Sequence, residues 1–141
     1  MGLISNGTTL LDAGAINDGI ATGNMILIKT LTASNSATLS FVHGASSVVL
    51  DGTYKSYVFK CINIHPIDDN VSFQINFRDG GTAYDATKTT TFFRAFHTEA
   101  DATGFGYSTS ADLAQSTSPQ IFGFSLGNAN DECLSGELTL Y

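Results

Sequence analysis

Hydrophobic and polar residues alternate along much of this chain with a period of two. The clearest case is Val71, Phe73, Ile75 and Phe77, separated by Ser72, Gln74, Asn76 and Arg78. Successive side chains of a strand point to opposite faces, so this pattern predicts a strand with one buried and one wet side. Turn residues at 66–70 and 79–81 bracket it. The segment 55–65 reads differently. Tyr57, Phe59 and Cys61 fall on one side and Val58, Ile62 and Ile64 on the other. Apolar residues on both faces predict a central, covered strand. The short connection to the next strand predicts an antiparallel hairpin. Further strands are expected at 25–33, 36–42, 47–50, 89–97, 121–126 and 134–140, from β-branched and aromatic runs between turn signals. The helical period of 3.6 is nearly absent, apart from one short helical turn expected at 111–115. The pattern therefore predicts an all-β fold: a single antiparallel β-sandwich, jelly-roll-like, of about eight strands over residues 25–141.

Residues 1–24 break the rhythm. Turn residues there are mixed with isolated apolar ones: Leu3, Ile4, Leu10, Leu11, Ile16 and Ile20. We read this stretch as an extended N-terminal arm with at most one short strand. In a one-domain protein, a neighbouring subunit is a natural place to bury those six side chains, so the arm is expected to serve assembly or docking.

Composition narrows the function classes. Only 13% of the 141 residues are charged, about half the usual share. Polarity comes instead from hydroxyls and amides, with 17 Thr and 14 Ser. Hydrophobic residues make up 43%, which excludes a disordered chain. No apolar run approaches the ~18 residues of a membrane span. A net charge of −7 with six basic residues makes nucleic acid an unsuitable partner. The first residues lack the charged head and apolar block of a secretory signal, so the N-x-[ST] matches at Asn6 and Asn70 are expected to carry no glycan.

Candidate chemistry is sparse. His97, Glu99 and Asp101 would share a face if their strand continued, as an acid–base pair or metal ligands would, but residues 99–104 have loop composition. Residues 128–132 crowd oxygen ligands without a calcium-loop spacing, and Asp68, Asp69 and Asn70 read as a turn. His43, His65 and His97 share no metal-ligand spacing. Cys61 and Cys133 read as unpaired core or near-core thiols. The aromatics Phe92, Phe93, Phe122 and Phe124 are expected in the core. No nucleophile elbow, phosphate loop or dinucleotide fingerprint is present in the sequence. The expectation is a protein with no catalytic residues, no metal and no cofactor.

Several blocks are similar to those of tailed-bacteriophage structural proteins, especially of marine, cyanophage-like phages. They are residues 1–9, 27–33, 37–42, 54–59, 62–66, 89–93, 112–117 and 130–133. The likeness covers most of the chain and consists of strand and turn blocks. It implies a non-enzymatic virion protein of the tail-fibre or surface-appendage type, made in the host cytoplasm and displayed on the particle. Expected partners are other virion proteins and further copies of the chain, with a trimer favoured for a fibre. Two alternatives stay open. One is a capsid decoration protein. The other is a carbohydrate-binding module contacting host surface glycans, for which Tyr54, Tyr84, Phe105 and Tyr107 in loop-like segments are the candidate contacts.

Overall fold

The computed structural model describes residues 25–141 in full, and the backbone of three strands before them. Those three are β1 (Leu3–Ser5), β2 (Thr8–Asp12) and β3 (Ala15–Ile16). They pair in sequence order, antiparallel, as a small meander. More strand is present here than an extended arm with one short strand. The side chains of the proposed arm residues Leu3, Ile4, Leu10, Leu11, Ile16 and Ile20 lie outside the described residues.

Six strands follow: β4 (Tyr57–Ile64), β5 (Val71–Ile75), β6 (Phe93–His97), β7 (Thr103–Tyr107), β8 (Gln120–Leu126) and β9 (Leu134–Leu140). They form three two-stranded ladders, β4–β9, β5–β8 and β6–β7. The fold is all-β, with no helix among the described residues. In particular, no helix is long and apolar enough to cross a membrane. No helical turn forms at 111–115; a plain turn lies just before it, closed by the Ala111 N–H on the Ser108 carbonyl at 3.3 Å.

Six strands over 25–141, in three ladders, replace the expected eight. Segments 25–33, 36–42 and 47–50 contain no strand. Their composition suits a pleated surface, but a strand requires a ladder partner, and these segments have none among the described residues. Strand β4 does not form the expected hairpin with β5. It pairs with β9, while β5 pairs antiparallel with β8. Nor is β4 covered on both faces, since Ile62 is exposed.

The chain divides into two units, Met1–Tyr57 with Tyr141, and Val58–Leu140. In the first, the turn at 51–53 is held tightly. The Tyr57 hydroxyl donates to the Asp51 carbonyl at 2.7 Å and accepts from the Asp51 N–H at 3.0 Å. Asp51 Oδ1 accepts from the Thr53 N–H at 2.8 Å. Hydrogen bonding from the Thr53 side chain and from its N–H, with the nearby His43, holds the Asp51 carboxyl below its usual range.

In the second unit, β9 lies against β8, and two glycines make the approach feasible. A Cβ on Gly136 would meet the Phe122 ring at 2.6 Å, and one on Gly123 would run into the Leu134 side chain. Strand β8 carries register irregularities against β5, and Ser125 there has a φ of 49°. Such bulges bend a strand and re-aim its side chains. A polar network ties the segment before β6 to β8. Thr90 Oγ1 donates to Gln120 Oε1 at 2.5 Å and accepts from the Leu113 N–H at 2.9 Å. Gln120 Nε2 donates to the Ala111 carbonyl at 2.9 Å.

Burial is the main departure from expectation. Among the described residues only Val48, Ala111 and Gly123 are buried. No large described side chain is fully buried. Phe92, Phe122 and Phe124, expected in the core, are half-buried, and Phe93 is exposed. Cys61 and Cys133 are both free thiols; Cys61 is half-buried, whereas Cys133 is exposed rather than near a core. Two-stranded ladders have too few covered faces to enclose side chains of this size.

Candidate functional site

The most distinctive surface is the β6–β7 hairpin. Its register runs without a break: Phe93 opposite Tyr107, Arg94 opposite Gly106, Ala95 opposite Phe105, Phe96 opposite Gly104, His97 opposite Thr103. Residues opposite each other share a face. One face therefore carries Phe93, Ala95, His97, Thr103, Phe105 and Tyr107. The other carries Arg94 and Phe96 over two glycines.

On the second face the side chains stack on one another while staying partly exposed. The Arg94 guanidinium carbon sits 4.5 Å from the centre of the Phe96 ring and 5.4 Å from that of Phe124, close enough for cation–π attraction to both. Phe96 folds over Gly104, where a Cβ would meet it at 2.5 Å. An open hollow of about 380 Å³ beside them is lined by Phe92, Arg94, Ala95, Phe96, Thr98 and Phe124. Arg94 is the only charged group in that lining, so the hollow has no acid–base pair.

The first face is open. Phe93 is 63% exposed, Phe105 81% and Tyr107 45%. Phe93 and Tyr107 meet edge to face, ring centres 5.3 Å apart. The Tyr107 hydroxyl donates to Asp112 Oδ2 at 2.6 Å, and this bond to a carboxylate raises the phenol pKa above its ordinary value.

The remaining sequence candidates scatter. His97 Nε2 lies 2.8 Å from Asp101 Oδ1 across the hairpin turn, with both side chains mostly exposed; Glu99 takes no part in that contact. The pair fastens the turn, where Asp101 takes a φ of 60°. His43 Nδ1 accepts from the Leu50 N–H at 3.1 Å, and His65 Nε2 lies 2.7 Å from the Ala129 carbonyl. Both therefore brace loops. In 128–132, Glu132 Oε2 accepts from the Ala129 N–H at 2.9 Å, turning the acid inward on its own loop. No group of three His, Cys, Asp or Glu side chains that could hold a metal occurs among the described residues.

Of the four glycan candidates, the structure brings together Phe105 and Tyr107. Tyr84 belongs to a different cluster, with the Arg78 guanidinium carbon 4.7 Å from its ring centre. Tyr54 meets Tyr57 edge to face at 5.7 Å in the first unit. Sequence reasoning misses Phe93 as a member of this surface, because its neighbours Thr91 and Phe92 suggest a buried strand. The alternation of Thr103, Phe105 and Tyr107 with glycines carries the signal for β7.

Comparison of the chain with protein-family models, curated proteins and solved structures finds no match.

Proposed function

We propose that this chain is a non-enzymatic structural subunit of a bacteriophage virion, part of a tail fibre or surface appendage, that works as a homo-oligomer with three copies favoured. One observation carries the reading. Among the described residues, aromatic and aliphatic side chains are left in water with little to cover them. Met25, Leu27, Ile62, Ile67, Phe93 and Phe105 are all well exposed. Isolated apolar residues on a surface are ordinary, but here almost no side chain among the described residues is buried, and burial is the usual source of stability. Copies packed together would supply the missing cover and complete a sandwich from two-stranded ladders.

Other features agree with this reading. The sequence blocks resemble phage structural proteins. The hydroxyl-rich, weakly charged composition suits a subunit present in many copies, and its net charge of −7 disfavours sticking to packaged DNA. His43, His65, His97, Asp51, Asp101 and Glu132 brace turns and loops, and no cluster of three His, Cys, Asp or Glu that could hold a metal occurs among the described residues. The glycan-binding alternative has less support, since only two of its four aromatic candidates share a surface.

The test is to locate the chain in the particle. Immunogold labelling of intact virions of the encoding phage should decorate a fibre or surface appendage. Label over the capsid shell would favour the decoration role. Particles that lack the chain would refute the proposal.

A further inference from the structure

We propose that the aromatic face of the β6–β7 hairpin is the contact between copies of this chain, with Phe105 packing against the hairpin of a second copy. The inference rests on the homo-oligomer reading above and assigns the surface that reading needs.

A two-stranded hairpin is marginal in water unless a face is covered. Here all five residues of β6 are exposed. The outer edges of both strands are without ladder partners among the described residues. The hairpin nevertheless has an unbroken register of five consecutive pairs. Its far face is anchored through Arg94 and Phe124, which leaves the Phe93, Phe105 and Tyr107 face without cover.

The size of that face fits an interface. Counting about 200 Å² for each fully exposed ring, the three present roughly 400 Å² of mostly apolar surface. A standard interface buries about 800 Å² per partner, a little over half of it apolar. The hairpin face thus supplies most of the apolar part of one side. A patch of this size on a monomer is often a functional one.

Charge argues for a second copy as the occupant. At a net charge of −7, two copies repel over most of their surfaces. Carboxylates lie only at the two ends of the aromatic face: Asp112 accepts from the Tyr107 hydroxyl, and Asp101 sits at the turn, held by His97. Interface centres are depleted in charge and rich in Phe and Tyr, and this patch has that composition. A single patch suffices for a closed ring, because residues near a symmetry axis meet their own equivalents.

The chain has no Trp, so Phe105→Trp places one fluorophore on the face. The full-length variant and the wild type are compared by light scattering, and the variant's indole emission is followed over a dilution series. A Phe93→Ser/Phe105→Ser double variant is checked alongside by circular dichroism. Three results are expected: an oligomeric wild type, blue-shifted indole emission that moves red on dilution, and a double variant of wild-type spectrum but lower mass. An oligomer in which the introduced indole emits as a water-exposed group at every concentration overturns this assignment and leaves the homo-oligomer reading standing. So does a double variant that keeps the wild-type mass. A wild type that is monomeric at all concentrations overturns both. Should the double variant fail to fold, the indole emission decides alone. An emission shift on adding soluble glycans, with no dependence on dilution, would overturn the assignment in favour of sugar binding.

Discussion

The β5–β8 and β6–β7 ladders have the same strand count and orientation, and they solve the problem of stability in different ways. The β5–β8 register is broken by bulges, yet its residues are mostly half-buried. Leu134 packs on Gly123, and the Thr90–Gln120 network ties the strand to its neighbours. The β6–β7 register is unbroken, and nearly every residue in it is exposed. Regular pairing and burial are therefore separate properties. A bulged ladder fitted to its surroundings is stable within the chain. A regular ladder with an open aromatic face depends on what covers it.

Introducing the same side chain into each ladder should separate them most. Gly123→Val forces branched atoms into Leu134 and should cost about 2–3 kcal/mol, the upper part of the range for overpacking a filled site. Gly106→Val meets nothing within 4 Å and should change stability by less than about 0.5 kcal/mol, because a strand glycine gains from a β-branched replacement. Urea denaturation of both variants measures the difference; equal losses would erase the contrast.

The next largest effect falls on the polar tie to β8. Thr90→Val keeps the shape and removes the Oγ1 that serves Gln120 and the Leu113 N–H. A loss of about 1–2 kcal/mol is expected, since two part-buried groups lose a partner. An unchanged denaturation midpoint would show that water replaces the hydroxyl.

The thiols offer a chemical version of the comparison. Cys133 is exposed, whereas burial raises the Cys61 thiol pKa and reduces its reactive thiolate at mildly alkaline pH. Iodoacetamide should modify Cys133 first, and the gap should narrow as the pH is raised. Equal rates at a mildly alkaline pH would show that Cys61 is freely accessible.

The smallest effect is at Tyr107. Its phenol pKa is raised in the folded state by the bond to Asp112. The stabilisation from that bond is complete below the ordinary tyrosine pKa and is lost as pH rises through the raised folded value. In ultraviolet titration, Tyr107→Phe should remove a late-ionising phenol, with little change in stability at neutral pH.

Some of this architecture is plain in the sequence. Alternation in Val71–Ile75 and in Leu134–Leu140 locates two strands, and Tyr57–Ile64 and Gln120–Leu126 are close to their expected bounds. Partners are harder, because pairing β5 with β8 or β4 with β9 is set by contacts far apart in sequence. Strand β7 reads as a loop since Gly104 and Gly106 are poor strand formers on their own. Gly104 is tolerated where the Phe96 ring covers it from across the hairpin, a contact that no local window contains. Phe93 and Phe105 look like a core residue and a glycan contact. Their common face becomes visible only with the register.

The most direct measurement is the molar mass of the purified full chain by light scattering across a dilution series. A mass of three times the 14.9 kDa chain, falling only at high dilution, is the expected result. A folded species that keeps the mass of one chain at every concentration would contradict the proposal that these exposed apolar faces are covered by further copies.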